Sequence, residues 1–168
     1  MKKLNKKGFT LVELLAVIVI LALLMVVATS SIGGAMSNAK KNALKTEAQK
    51  MLTSAYQDMK SSFMLSNNIA NVSGEKKDAA TAGNTILKYS DGTKYEAYFE
   101  INSSNQIITY CVRDADNKLS LSKTGLTISV DNSDTSATPT VPNDITIKNT
   151  AATMCNYDAT SKKITNLS

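Results

Sequence analysis

The 168-residue chain has no histidine and no tryptophan. Without histidine there is no Ser-His or Cys-His nucleophile pair and no imidazole metal site. No glycine-rich phosphate loop of the GxxxxGK type occurs either. A non-enzymatic protein without cofactors is expected. Aromatic residues make up 5% of the chain and there are 2 prolines, which suggests a modest core under a polar surface rich in Ser, Thr, Asn and Ala. The length suits one globular head plus an appendage.

The pI near 9.1 points at first to an anionic partner such as nucleic acid. The distribution of charge weakens that reading. Lys2, Lys3, Lys6 and Lys7 all precede the first apolar run, and without them 15 of the 19 basic residues face 14 acidic ones. What remains is uneven: Lys40, Lys41, Lys45, Lys50 and Lys60 outweigh Glu47 and Asp58, while the stretch from residue 61 onward is close to neutral. No specific nucleic-acid partner is expected.

Residues 9–28, FTLVELLAVIVILALLMVVA, are almost wholly apolar. As a helix they reach about 30 Å, the thickness of a bilayer's hydrocarbon core. Four lysines precede the run and none follows until Lys40, so the positive-inside bias places the N-terminus in the cytoplasm and the rest outside. Glu13 is the exception within the run, and a carboxylate there costs a few kcal/mol, on the order of 3, on permissive insertion scales. It either lies close enough to the interface to reach headgroup water or finds a partner.

The stretch Lys6-Lys7-Gly8-Phe9-Thr10-Leu11-Val12-Glu13-Leu14-Leu15 resembles the type III signal of type IV prepilins and pseudopilins. The resemblance implies a short basic leader cut by a prepilin peptidase directly after Gly8, an N-methylated Phe9 at the new terminus, and an assembly role for Glu13. Many family members carry a proline further along the helix, whereas residues 22–40 contain none.

The chemistry of such a cut can be argued from charge alone. Cleavage after Gly8 creates an ammonium on Phe9 at the edge of an apolar helix. In a bundle of such helices Glu13 of one subunit can pair with the Phe9 ammonium of a neighbour, because a buried charge left alone costs several kcal/mol, about 3 to 5. Such a pair specifies register more than it adds stability. An ordinary secretory signal, cut at Val26-Val27-Ala28 before Thr29, competes with this reading, but the apolar run exceeds the usual signal length and carries Glu13. An uncut signal anchor is the other alternative.

Beyond Ala28, Leu44, Ala48, Met51, Leu52, Ala55, Met59 and Phe63 recur at three- and four-residue spacing, which predicts an amphipathic continuation to about Leu65. The helix 9–65 would be roughly 85 Å long. Gly33-Gly34 is its expected point of bending or local melting, each glycine costing about 1 kcal/mol against alanine; close packing of small residues between helices is the alternative. Ser66 to Asn84 reads as a loop. Strands are predicted at Thr85–Ser90, Thr93–Ile101, Ile107–Arg113, Leu119–Val130 with a bulge or second hairpin at Gly125, and Ile145–Asn149, followed by an irregular tail. Asp114-Ala115-Asp116-Asn117 resembles the opening of a calcium loop but lacks its glycine and closing glutamate, and reads as a hairpin turn.

Cys111 and Cys155 are the only cysteines, and an exported head sits where disulfides persist. A bond between them is favoured; two separate buried thiols are the alternative. The expected architecture is α+β: a leader at 1–8, a long helix at 9–65 with 9–28 in the membrane or filament core, and an antiparallel sheet head at 66–168. The resemblance implies as partners other pilins including further copies of this chain, the prepilin peptidase and the membrane assembly machinery. It implies a cytoplasmic-membrane protein before assembly and an extracellular filament afterwards. Beside this pilus subunit stand a pseudopilin of a secretion or competence machine, and an anchored or secreted adhesin that does not polymerise.

Overall fold

The computed structural model describes residues 10–66, 71–92, 94–114, 116, 119–130, 139–141, 147–148 and 153–167. The chain divides into two compact units, Met1–Ala39 and Lys40–Ser168. One helix, α1 (Leu11–Ser66), contributes to both. Its first part is apolar around its whole circumference, and its side chains there are exposed. The helical backbone runs on through Gly33 and Gly34, where an added Cβ would meet nothing within 4 Å.

In the second unit α1 turns one face inward. Leu44, Ala48, Met51, Leu52, Ala55, Tyr56 and Met59 are buried at helical spacing, while Phe63, expected to extend the stripe, is half-buried. This stripe packs on a six-stranded antiparallel sheet in the order β1 (Glu75–Asp78), β2 (Thr85–Ser90), β3 (Tyr95–Ile101), β4 (Gln106–Asp114), β5 (Leu119–Ser129), β6 (Ile147–Lys148). Leu87, Ala97, Phe99, Ile101, Tyr110, Val112 and Leu121 supply the facing side chains. Each large side chain so buried contributes about 1.5–3 kcal/mol. The α+β expectation holds: a long N-terminal helix on an antiparallel sheet.

Local chemistry sets the turns. Between β2 and β3, Asp91 Oδ1 accepts from the Tyr95 amide at 3.0 Å and Gly92 adopts φ +77°. Between β3 and β4, Asn102 Oδ1 accepts from the amides of Ser104 and Gln106, both at 3.0 Å, which closes an Asx turn. At Gly125, φ +70°, the register between β4 and β5 jumps from Thr109↔Thr124 to Ile107↔Ile128. Of the two readings of Gly125, the bulge is the one observed, and β5 continues through it.

Two expectations need correction. The stretch read as a loop from Ser66 to Asn84 contains β1, a short edge strand whose Glu-Lys-Lys-Asp sequence has no apolar alternation because it is exposed. It is held by backbone pairing, Glu75↔Lys88 through Asp78↔Thr85. The tail read as irregular forms a hairpin of β7 (Asn156–Asp158) and β8 (Lys163–Thr165), paired to each other as a separate two-stranded sheet. Of the last expected strand, Ile145–Asn149, Ile147 and Lys148 are strand, and Ile145, Thr146 and Asn149 lie outside the described residues.

On the sheet face opposite α1 lies a second, smaller apolar cluster of Ile86, Tyr98, Cys111, Cys155 and Ile164. Cys111 and Cys155 are joined by a disulfide with Cα atoms 5.8 Å apart.

Candidate functional site

Between Leu11 and Val27, 14 large apolar side chains stand exposed on α1, Leu11 at 80% and Val19 at 50%. Removing that many from water is worth about 20–40 kcal/mol, far more than a small domain's whole stability. A helix apolar on every side belongs in hydrocarbon or among other helices. By length and composition it can cross a membrane. That is compatible with membrane anchoring before any assembly.

Glu13 is the acidic residue in the first turn of this helix. Its Oε2 accepts from the Thr10 amide and from Thr10 Oγ1, both at 2.8 Å, while Thr10 Oγ1 accepts from the Glu13 amide at 3.3 Å. This is a reciprocal capping box: each side chain satisfies a backbone donor that the helix end would leave bare. The Thr10-x-x-Glu13 spacing carries that signal in the sequence, where Glu13 is read for its charge in assembly and not as a cap. The cap supplies hydrogen bonds but no opposite charge. Among the described residues the first basic one is Lys40, 27 positions beyond Glu13. Gly8 and Phe9, the residues of the expected cut, methylation and pairing, lie outside the described residues.

In the head, the sequence-predicted pair Cys111 and Cys155 is brought together and both residues are buried. Asp114 does not belong to an open loop. It is the last residue of β4, buried, with Lys94 Nζ 3.9 Å from its Oδ2. Asn117 lies outside the described residues.

Three side-chain clusters escaped sequence reasoning because their partners are remote in the chain. Asp58 Oδ2 on α1 accepts from the Ser73 amide at 2.7 Å, Ser73 Oγ at 2.8 Å and Tyr89 Oη at 2.8 Å. Burial, reinforced by the Asp58 carboxylate, pushes the Tyr89 hydroxyl far above the ordinary phenol range. Gln49 grips a second segment like a strand partner, donating to Pro139 O at 2.8 Å and accepting from the Val141 amide at 2.6 Å. On the outer sheet face Glu96 bridges Lys88 at 3.0 Å and Arg113 at 2.8 Å. Burial raises the Glu96 carboxyl, but the Lys88 hydrogen bond and the charges of Arg113 and Lys88 outweigh it, and the net shift is downward from 4.5.

What sets the first unit apart is a stretch of helix apolar on every side, with one carboxylate, that of Glu13, capped near its start. No curated protein and no solved structure matches the chain. The family model of the prokaryotic N-terminal methylation motif matches residues 3–29. The chain thus carries a type IV prepilin-like signal on the helix whose second half packs on its six-stranded sheet, an architecture that is pilin-like.

Proposed function

We propose that this chain is a non-enzymatic subunit of a type IV pilus. A prepilin peptidase cuts it after Gly8, Phe9 is N-methylated, and the apolar part of α1 holds it in the cytoplasmic membrane with its head outside. The membrane assembly machinery then moves the helix from lipid into the core of a filament of like subunits. In that core Glu13 exchanges solvent or headgroup contacts for the Phe9 ammonium of a neighbour, and the exposed residues from Leu11 to Val27 find apolar partners.

The observation that carries this reading is the coincidence, within residues 3–29, of the methylation motif and an exposed apolar helix bearing one carboxylate at Glu13. A plain anchor needs the apolar helix but not the acid. The test is mass spectrometry of the mature N-terminus from the native host, combined with shearing of cells and imaging of the sheared fraction. A methylated Phe9 terminus and filaments containing this chain are expected. A terminus at Thr29 would instead mark a secreted protein, one at Met1 an uncut anchor, and a Phe9 terminus without surface filaments a pseudopilin.

A further inference from the structure

The head is built from two apolar layers that share the sheet but not their side chains. The inner layer lies between α1 and the sheet; the outer one lies between the sheet and the C-terminal hairpin. Strands β7 and β8 pair with each other and, among the described residues, form no ladder with the six-stranded sheet. Among the described residues, few groups fasten the hairpin and the adjoining Cys155 to the rest of the head. They are the Ala80 amide donating to Lys162 O at 3.0 Å, the Cys155 amide donating to Ser120 Oγ at 3.1 Å, Tyr157 Oη donating to Asp78 O at 3.3 Å, and the Tyr98–Tyr157 ring stack at 6.1 Å. Lys162 and Asp78 add a mostly exposed ion pair at 3.8 Å, which contributes little. Ile164 is the one large aliphatic side chain that the hairpin strands bury in the outer cluster.

We infer that the Cys111–Cys155 disulfide is a redox-dependent latch: oxidised, it holds the C-terminal hairpin over Ile86 and Tyr98; reduced, it releases the hairpin while the helix–sheet body stays folded. The reasoning is one of unequal layers. The body keeps its own buried stripe and continuous strand pairing without the bond, whereas the hairpin has few contacts with which to offset the entropy of ordering its residues. The covalent link lowers that entropic cost by keeping Cys155 beside β4. The latch belongs to the head alone and operates whether or not the chain polymerises. It also ties closure of the outer layer to arrival in an oxidising compartment.

Opening requires a two-electron donor such as a dithiol. One of its thiolates attacks a disulfide sulfur, forms a mixed disulfide and expels the other cysteine as thiolate. Its second thiol then closes a cyclic disulfide and frees the remaining cysteine, and the two protons lost by the dithiol end on Cys111 and Cys155.

The test is hydrogen exchange, read by mass spectrometry, on the full chain in detergent micelles. It compares the oxidised protein, the dithiothreitol-reduced protein, and the Cys111→Ser/Cys155→Ser variant without reductant. In both forms lacking the bond, amides of residues 156–165 are expected to exchange about a hundredfold faster, while those of 48–62 on α1 and of β3 and β4 stay within about threefold of the oxidised protein. Unchanged protection of the hairpin would overturn the latch. So would a parallel loss of protection in α1, β3 and β4, because hairpin and body would then unfold as one unit.

Discussion

Glu13 carries two separable duties, a capping acceptor and a charge, and substitution can tell them apart. Glutamine keeps a carbonyl oxygen able to accept from the Thr10 amide, so Glu13→Gln retains the capping box that Glu13→Ala loses. If charge pairing with a neighbour's Phe9 governs assembly, both variants will be cleaved normally and both will fail to enter filaments. Wild-type filament yield from the glutamine variant would show that the cap, not the charge, matters. Thr10→Ala removes the reciprocal partner and should cost the helix start about 0.5–2 kcal/mol, visible as local fraying in amide exchange. In the head, Gly74 sits where a Cβ would come within 2.8 Å of the Tyr89 ring, and that ring is tethered through its hydroxyl to Asp58. Gly74→Ala is therefore expected to lower stability by about 1–3 kcal/mol in denaturant titration. An unchanged midpoint would mean that the ring can swing aside without losing Asp58.

At the scale of elements, the ladder Lys88–Glu96–Arg113 across β2, β3 and β4 makes stability depend on pH in a defined sense. The Glu96 carboxyl is held below 4.5 in the folded head, so its stabilisation is complete above that value and is lost as the pH falls through the lower folded one. The Lys88 ammonium is raised above 10.5, first by the Glu96 hydrogen bond, so its contribution is complete below 10.5 and is lost as the pH rises through the folded value. The gap in thermal midpoint between wild type and Glu96→Gln should accordingly be constant near neutrality and shrink below pH 4.5. A gap independent of pH down to 3 would remove the ladder from the account of stability. Strands β2 and β3 of this ladder were legible because two short runs rich in Ile, Leu, Tyr and Phe flank an Asp-Gly turn. Strand β1 and the β7–β8 hairpin were not. Their stability comes from backbone pairing and from a disulfide partner 44 residues away, and neither leaves an apolar period in the local sequence. Tyr56 was missed in the helical stripe, although it falls beside Ala55 on the buried face.

For the molecule as a whole, the question is what the small-residue region of α1 does between an apolar N-terminal unit and a head that begins at Lys40. The sequence made Gly33 and Gly34 conspicuous through cost alone; it could not distinguish a hinge from a packing surface, because both use residues without side chains. The backbone is helical at both positions and a Cβ at either meets nothing within 4 Å, so alanine is accommodated in the isolated chain. Gly33→Ala/Gly34→Ala should strengthen the helix locally by about 1 kcal/mol per site and leave the head's thermal midpoint unchanged. If local melting of α1 accompanies entry into the filament, the variant will be cleaved and inserted normally yet assemble more slowly, and the delay will lessen when a single glycine is restored at either position. If the glycines serve instead for close helix packing, restoring one position will recover assembly and restoring the other will not, because only one of two neighbouring residues on a helix can face a given partner. Filament formation at the wild-type rate by the double variant would exclude both roles, leaving the pair as a stretch of helix that assembly does not use.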